Sequence, residues 1–174
     1  MGVSETRAPR SWTSSARFWA ARRYGVPPAL LAEQLWQESK LQSVARSTAG
    51  AQGLGQFIPA TAARYKVDVR DPESSADGAA RYMRDLLRMF DGNAALALAG
   101  YNAGEGAVMA FRDGRAIRTK HGVINPKGIR TGGIPPYAET ENYVRVILAR
   151  AERLEQLWAR TGDPVFERVG RPAV

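Results

Sequence analysis

Apolar residues recur along most of this chain at helical spacing, and runs of β-branched residues are scarce. The pattern predicts a first helix from Ser11 or Thr13 to Tyr24, stopped by Gly25. It predicts a second from Pro28, a residue suited to a first helical turn, to about Ser39. Leu31, Leu35 and Glu38 fall at i, i+4 and i+7 of that helix and share one face. A carboxylate therefore continues an apolar stripe into the helix's last turn.

Residues 40–56 are rich in Ser, Ala, Gly and Gln and read as a shaped loop, with Gly50, Gly53 and Gly55 open to backbone conformations that other residues resist. A short helix is expected from Pro59 to about Tyr65. Asp71 and Pro72 then read as the cap and first position of a longer one. Ala76, Ala80, Met83, Leu87 and Phe90 form its expected buried stripe, with Gly92 just past its end. The Ala- and Leu-rich stretch Asn93 to Tyr101 suits a helix buried on most sides, ending at Asn102, Ala103 and Gly104. A last helix is expected from about Ala138 to Trp158, with Val144, Ile147, Ala151, Leu154 and Trp158 inward and Glu141 paired with Arg145 outside.

The expected fold class is all-α, five to seven helices in one domain. Arg112 to Gly133 interrupts the pattern with five glycines, Pro126 and alternating basic and apolar residues, which fit either an irregular loop or a small β-ribbon. No internal repeat is visible. At 174 residues and 44% apolar content, one core is the expectation. It spans 27–158, after a basic N-terminal extension over 1–26 and before a tail over 159–174.

Cysteine is absent, which excludes disulfides, thiol nucleophiles and thiolate metal sites, and His121 is the sole histidine. No metal and no cofactor are expected. The net charge of +8 is unevenly placed. Residues 1–24 carry five Arg against Glu5, and residues 112–132 carry six Lys or Arg against Asp113, which leaves the remainder near neutral. Such clustering suggests an anionic partner met at particular places. Nucleic acid is disfavoured because the basic segments lack interleaved aromatics and a reading motif. Anionic cell-wall or outer-membrane surfaces suit the charge equally well. No apolar run approaches the roughly 18 residues of a membrane span. The first 23 residues lack the apolar stretch of a secretory signal, so delivery by a virus particle or secretion machine, or excision from a longer protein, is expected.

Glu38 is the leading candidate for chemistry. Burial on an apolar face and the negative end of a helix dipole both disfavour its ionised form, and a carboxylic acid still protonated near neutral pH is what glycosidic cleavage needs as general acid. On periodicity alone, a partly exposed glutamate at a helix end is the favoured reading.

Four blocks carry a resemblance that decides between these. They are Glu38-Ser39; Gly53-Leu54-Gly55-Gln56 with Pro59-Ala60-Thr61-Ala62; Ala99-Gly100-Tyr101-Asn102-Ala103-Gly104; and Pro135-Pro136-Tyr137-Ala138-Glu139-Thr140 leading to Tyr143-Val144. In this order, over about Pro27 to Arg153, they resemble the soluble lytic transglycosylase catalytic domains. The resemblance implies a lysozyme-like α fold and cleavage of peptidoglycan between N-acetylmuramic acid and N-acetylglucosamine. It implies that Glu38 protonates the glycosidic oxygen, then deprotonates the sugar's 6-hydroxyl to close a 1,6-anhydro ring, with the muramic acetamido oxygen in place of a second carboxylate. No Asp or Glu lies between Glu38 and Asp68, in keeping with that scheme, while Glu105, Glu139 and Glu141 stay open as partners.

By the same matching, Ser47 and Gln56 resemble positions that hydrogen-bond acetamido sugars, Tyr101 and Asn102 shape the pocket, Glu139 binds saccharide or supports the site, and Tyr143 completes the wall. Ser39 supports the helix end or Glu38 itself. An ordinary turn serine at 47, a first-turn acid at 139 and a core tyrosine at 143 are the competing structural readings. Gly55 replaces a common methionine and Gly100 a common alanine, each removing side-chain volume near the expected cleft. The link over 112–132 is longer than usual, and a lid or a contact with acidic stem peptides is expected of it. Peptidoglycan strands are the expected partner, a monomer the expected state and the bacterial wall or periplasm the place of action, for a phage lysis or virion enzyme or an excised domain. A hydrolytic muramidase on the same scaffold and a non-catalytic sugar-binding module are the alternatives.

Overall fold

The computed structural model describes residues 19–161. The expected start of the first helix, most of the basic extension and the tail beyond 161 lie outside the described residues. Seven helical segments and one ribbon follow in order: α1 (19–24), α2 (Pro28–Ser39), α3 (Pro59–Tyr65), α4 (Pro72–Met89), α5 (Ala94–Ala103), α6 (Glu105–Asp113), β1 (Ile117–Thr119), β2 (Gly122–Ile124) and α7 (Ala138–Thr161). Among the described residues, 19–81 and 151–161 form one unit and Tyr82–Arg150 a second.

In the first unit, α1 ends at Tyr24 because Gly25 turns left-handed at φ 68, and Val26 N–H closes back onto Ala21 O. α2 starts on Pro28 without a side-chain cap. Its stability comes from burial: Ala29, Leu30, Leu31 and Leu35 are almost wholly enclosed, each leucine being worth about 1.5–3 kcal/mol. At its end Lys40 is left-handed, and Leu41 follows at φ 61, so the chain leaves the helix sharply after Ser39. α4 begins as expected: the Asp71 carboxylate accepts from the N–H groups of Glu73 and Ser74 at 3.0 and 3.3 Å.

The second unit holds the later part of α4, α5, α6, the ribbon and the start of α7. The stripe of α4 runs through Met83, Leu86 and Phe90, all buried, whereas Leu87 is only partly covered. The expected register is thus off by one residue at that turn. Helix phase at 100° per residue leaves 86 and 87 both near the edge of the stripe, and the neighbours choose. α5 is enclosed over four successive residues, Ala97 to Gly100, and packs on α6.

α6 is a helix that the pattern does not predict. Gly104, at φ 86 and ψ 142, ends α5 and caps α6 in one residue, and Val108, Ala110 and Phe111 bury the new helix's inner face. Two glycines at 104 and 106 mask the start of a nine-residue helix, because its stability is tertiary. In the 112–133 segment the ribbon is the form adopted. β1 and β2 pair antiparallel with Ile117 opposite Ile124 and Arg118 opposite Val123. In α7, Val144, Ile147 and Ala151 are buried, while Leu154 and Trp158 are half-buried. The helix continues to Thr161, beyond its expected end. Arg145 donates to Asn142 Oδ1 at 2.7 Å rather than pairing with Glu141, since i−3 on this exposed face offers the shorter reach.

Candidate active site

Glu38 sits in the last turn of α2, half-buried, one turn beyond the enclosed Leu35. Beside it Ser39 is buried, and its hydroxyl donates to Leu35 O at 3.3 Å, binding the helix end to itself. The left-handed pair at 40 and 41 then carries the chain away. The acid therefore stands at a rigid corner. Gln34, one turn earlier, is fully enclosed.

The loop after α2 folds on backbone pairs, not on a regular element. Gln52 and Phe57 exchange two hydrogen bonds of 3.0 and 2.9 Å, and Gly53 N–H donates to Ala45 O at 2.9 Å. Gly53 is the residue this geometry demands. A Cβ there would lie 2.2 Å from Val69 O, at a φ of 75 that L side chains rarely adopt. Ser47 is exposed at a turn, where its Oγ accepts from Ala51 N–H at 3.0 Å, leaving its own proton to donate outward. Gln56 is left-handed at φ 48, and its amide nitrogen donates to Ala45 O at 3.1 Å and Gly53 O at 2.9 Å. Both amide protons are thereby taken, so Oε1 is the end of this side chain that can receive a ligand's N–H or O–H.

In the second unit Tyr101 and Asn102 close α5. The Tyr101 ring lies on the Tyr82 ring, centroids 4.8 Å apart and planes tilted by 35°. Tyr82 OH donates at 3.1 Å to Oε2 of Glu105, one of the carboxylates left open as partners. Asn102 Oδ1 accepts from the hydroxyl of Thr140 at 2.7 Å, and Thr140 is buried in the first turn of α7. That bond joins the third and fourth sequence blocks. Glu139 is exposed, and Tyr143 is buried at 6% exposure.

The basic segment is stapled down by Asn125, a buried left-handed residue. Its amide donates to Ala110 O and Ile129 O, and its Oδ1 accepts from Ile129 N–H, all within 3.0 Å. Arg112 hydrogen-bonds Asp113 at 2.8 Å and, with nearby Arg115 and Arg130, holds that carboxyl below the usual range. Arg118, Lys120 and Lys127 stay exposed on the ribbon and the turn after it.

The family description Transglycosylase SLT domain matches residues 15–121, more than half of the chain. The chain belongs to this family. Membrane-bound lytic murein transglycosylase D of Escherichia coli K12 is 34% identical over 125 residues, which cover 68% of this chain and 26% of that protein. Peptidoglycan transglycosylase gp16 of Escherichia phage T7 is 36% identical over 95 residues, covering 50% of this chain and 7% of that one. Among solved structures, an inactive mutant of lytic transglycosylase Slt from Pseudomonas aeruginosa superposes with a TM-score of 0.64 at 26% identity, over 92% of this chain and 26% of that one. The 70 kDa soluble lytic transglycosylase of Escherichia coli has a TM-score of 0.60 at 23% identity, over 84% and 24%, and shows the fold. This SLT domain thus spans about a quarter of the first curated relative and of these structures.

Within the SLT domain one of the two glycine departures, Gly100, has a packing cause. Gly100 faces α4, where a Cβ would lie 3.0 Å from Leu86 Cδ2 and 3.1 Å from Phe90 Cε2. Core side chains fill the volume that a Cβ there would take. Gly55 is buried, with its N–H donating to Ser75 Oγ at 3.1 Å. Thr140, Tyr82 and Ser75 are the groups that sequence reasoning passes over. Thr140 had a signal, as the neighbour of Glu139 in a matched block. Ser75 and Tyr82 had none, because their partners are 20 and 23 residues away.

Proposed function

We propose that this SLT domain is a peptidoglycan lytic transglycosylase, with Glu38 as its acid and base. The observation that carries the proposal is the setting of Glu38, half-buried at a helix end against enclosed leucines, in a chain of this family. Glu38 protonates the oxygen between N-acetylmuramic acid and N-acetylglucosamine as the bond breaks, and the muramic acetamido oxygen supports the positive centre. The ionised Glu38 then takes the proton of the 6-hydroxyl, whose oxygen closes the 1,6-anhydro ring. The leaving sugar keeps the first proton, Glu38 recovers the second, and no water is consumed.

Ser47 and Gln56 bind acetamido groups in this reading, Ser47 as donor and Gln56 through Oε1 as acceptor. Tyr101, Asn102, Glu139 and Tyr143 contact or wall the glycan, and Ser39 supports the helix end that carries Glu38. The domain responsible is the 27–158 body, acting as a monomer at the wall. Arg118, Lys120 and Lys127 attract anionic wall or outer-membrane surfaces. The phage relative supports a role in opening the wall during infection.

Product mass tests the proposal. Digestion of purified peptidoglycan is expected to release anhydromuramic ends, 1,6-anhydro products being lighter by one water than those of a muramidase. Reducing muramic ends alone would establish the hydrolase instead. Equal turnover by the parent and Glu38→Gln would leave a sugar-binding module.

A further inference from the structure

Gln56 adopts a backbone conformation that costs a non-glycine residue energy, so the loop around it must be held from outside. Within the loop its own amide closes onto Ala45 O and Gly53 O. A bond from this turn also reaches regular structure: Gly55 N–H, the amide immediately before Gln56, donates to Ser75 Oγ at 3.1 Å. Ser75 is 0% exposed and lies in the first turn of α4, where its own N–H donates to Asp71 O at 2.9 Å. Its hydroxyl is therefore fixed by a helix whose start is capped, and it reaches a loop amide that is itself buried.

We propose that Ser75 is a positioning residue of the glycan site, acting through Gly55 to hold Gln56 with Oε1 presented to an acetamido N–H. The inference rests on the reading of Gln56 as a saccharide ligand. Losing the Ser75 oxygen removes a hydrogen bond from a buried amide and lets the 53–56 turn relax toward ordinary backbone angles. Gln56 would then sample positions in which Oε1 misses the sugar. Substrate binding weakens while the acid at Glu38 keeps its setting, so KM rises and kcat holds.

The test is a double-mutant cycle of Ser75→Ala and Gln56→Ala, with Ser75→Thr as the variant that retains a hydroxyl, on soluble glycan chains with anhydro product as the readout. Thermal denaturation confirms that each variant is folded at the assay temperature. Ser75→Ala is expected to raise KM ~10-fold, about the size of one lost hydrogen bond, with kcat within about twofold. Ser75→Thr is expected to recover most of that loss, and the double variant to match Gln56→Ala alone. Amide exchange at Gly55 should quicken in Ser75→Ala, whether or not substrate is present.

Multiplying KM effects in the double variant would show that Ser75 acts apart from Gln56 and would overturn the proposal. Unchanged exchange at Gly55 would overturn it too. If Gln56→Ala itself leaves KM unchanged, the saccharide role of Gln56 fails and takes the inference with it, and that arm identifies which of the two was wrong.

Discussion

The Thr140 hydroxyl donates to Asn102 Oδ1 across 2.7 Å, tying the first turn of α7 to the last turn of α5. With its carbonyl oxygen engaged, the Asn102 amide keeps its nitrogen for donation elsewhere, and one flip of the side chain is selected. Thr140→Val keeps the shape and removes the donor. Turnover is expected to fall about 5- to 20-fold, with a stability loss of ~1–2 kcal/mol. Thr140→Ser should retain most of the activity, and equal loss in both variants would trace the effect to packing.

Glu38→Gln preserves shape and removes the proton. Turnover is expected to fall by about 10²–10⁴, the usual contribution of a general acid or base, while the melting temperature changes little. The comparison requires anhydro-product assays and thermal denaturation on the same samples. Retained turnover would remove Glu38 from the chemistry.

Two glycine substitutions should separate conformational need from packing. Gly53→Ala puts a Cβ 2.2 Å from Val69 O at a left-handed φ, and backbone cannot yield as a side-chain tip can. A loss of roughly 2–4 kcal/mol is expected from overpacking and strain together. Gly100→Ala meets its closest neighbours, at 3.0 and 3.1 Å, in side-chain carbons and sits in a helix, where alanine's better propensity of about 1 kcal/mol offsets the squeeze. Denaturant midpoints should place Gly100→Ala near the parent and Gly53→Ala far below it.

The Tyr24 hydroxyl donates to Asp77 at 2.9 Å, and its pKa is raised above the usual 10.0 by burial first and by this bond to a carboxylate second. The folded chain holds the proton more tightly than the unfolded one. The stabilisation is therefore complete below about pH 10 and is lost as pH rises through the folded value. Melting temperatures of the parent and Tyr24→Phe should differ by a constant amount from pH 7 to 9 and draw together above pH 10. A gap that stays constant into that range would show that the hydroxyl is not linked to folding.

Arg118, Lys120 and Lys127 are exposed on the ribbon segment that Asn125 staples to α6. Changing all three to alanine is expected to weaken binding to whole peptidoglycan about 3- to 10-fold at low salt and to leave melting unchanged, since exposed charges add little to stability. In sedimentation assays the difference should vanish at about 0.5 M salt, where screening is nearly complete at this range. A loss that persists there would point to packing.

Local chemistry made much of this architecture readable. Pro28, Pro59 and Pro72 start helices because a first-turn residue needs no N–H, and Gly25 and Gly92 stop them because they accept left-handed angles. Apolar spacing located α2, α4 and α7 because each buries one face. The same spacing misplaced Leu87 and missed α6, where neighbouring elements rather than local preference determine what is covered. Residue types in four ordered blocks named the candidate site, since acid, amide and hydroxyl are chemical requirements that no fold supplies by itself.

What the sequence by itself determined, then, is where most of the helices start and stop and which residue types are on hand for chemistry. Tertiary structure alone decided how those residues are held: that Gln56 spends both amide protons on carbonyls of its own loop, that Ser75 supports the turn before it, and that Thr140 orients Asn102. Each of these bonds joins residues whose partnership no periodicity encodes, because a hydrogen bond's distance and direction exist only once the backbone has brought both groups together.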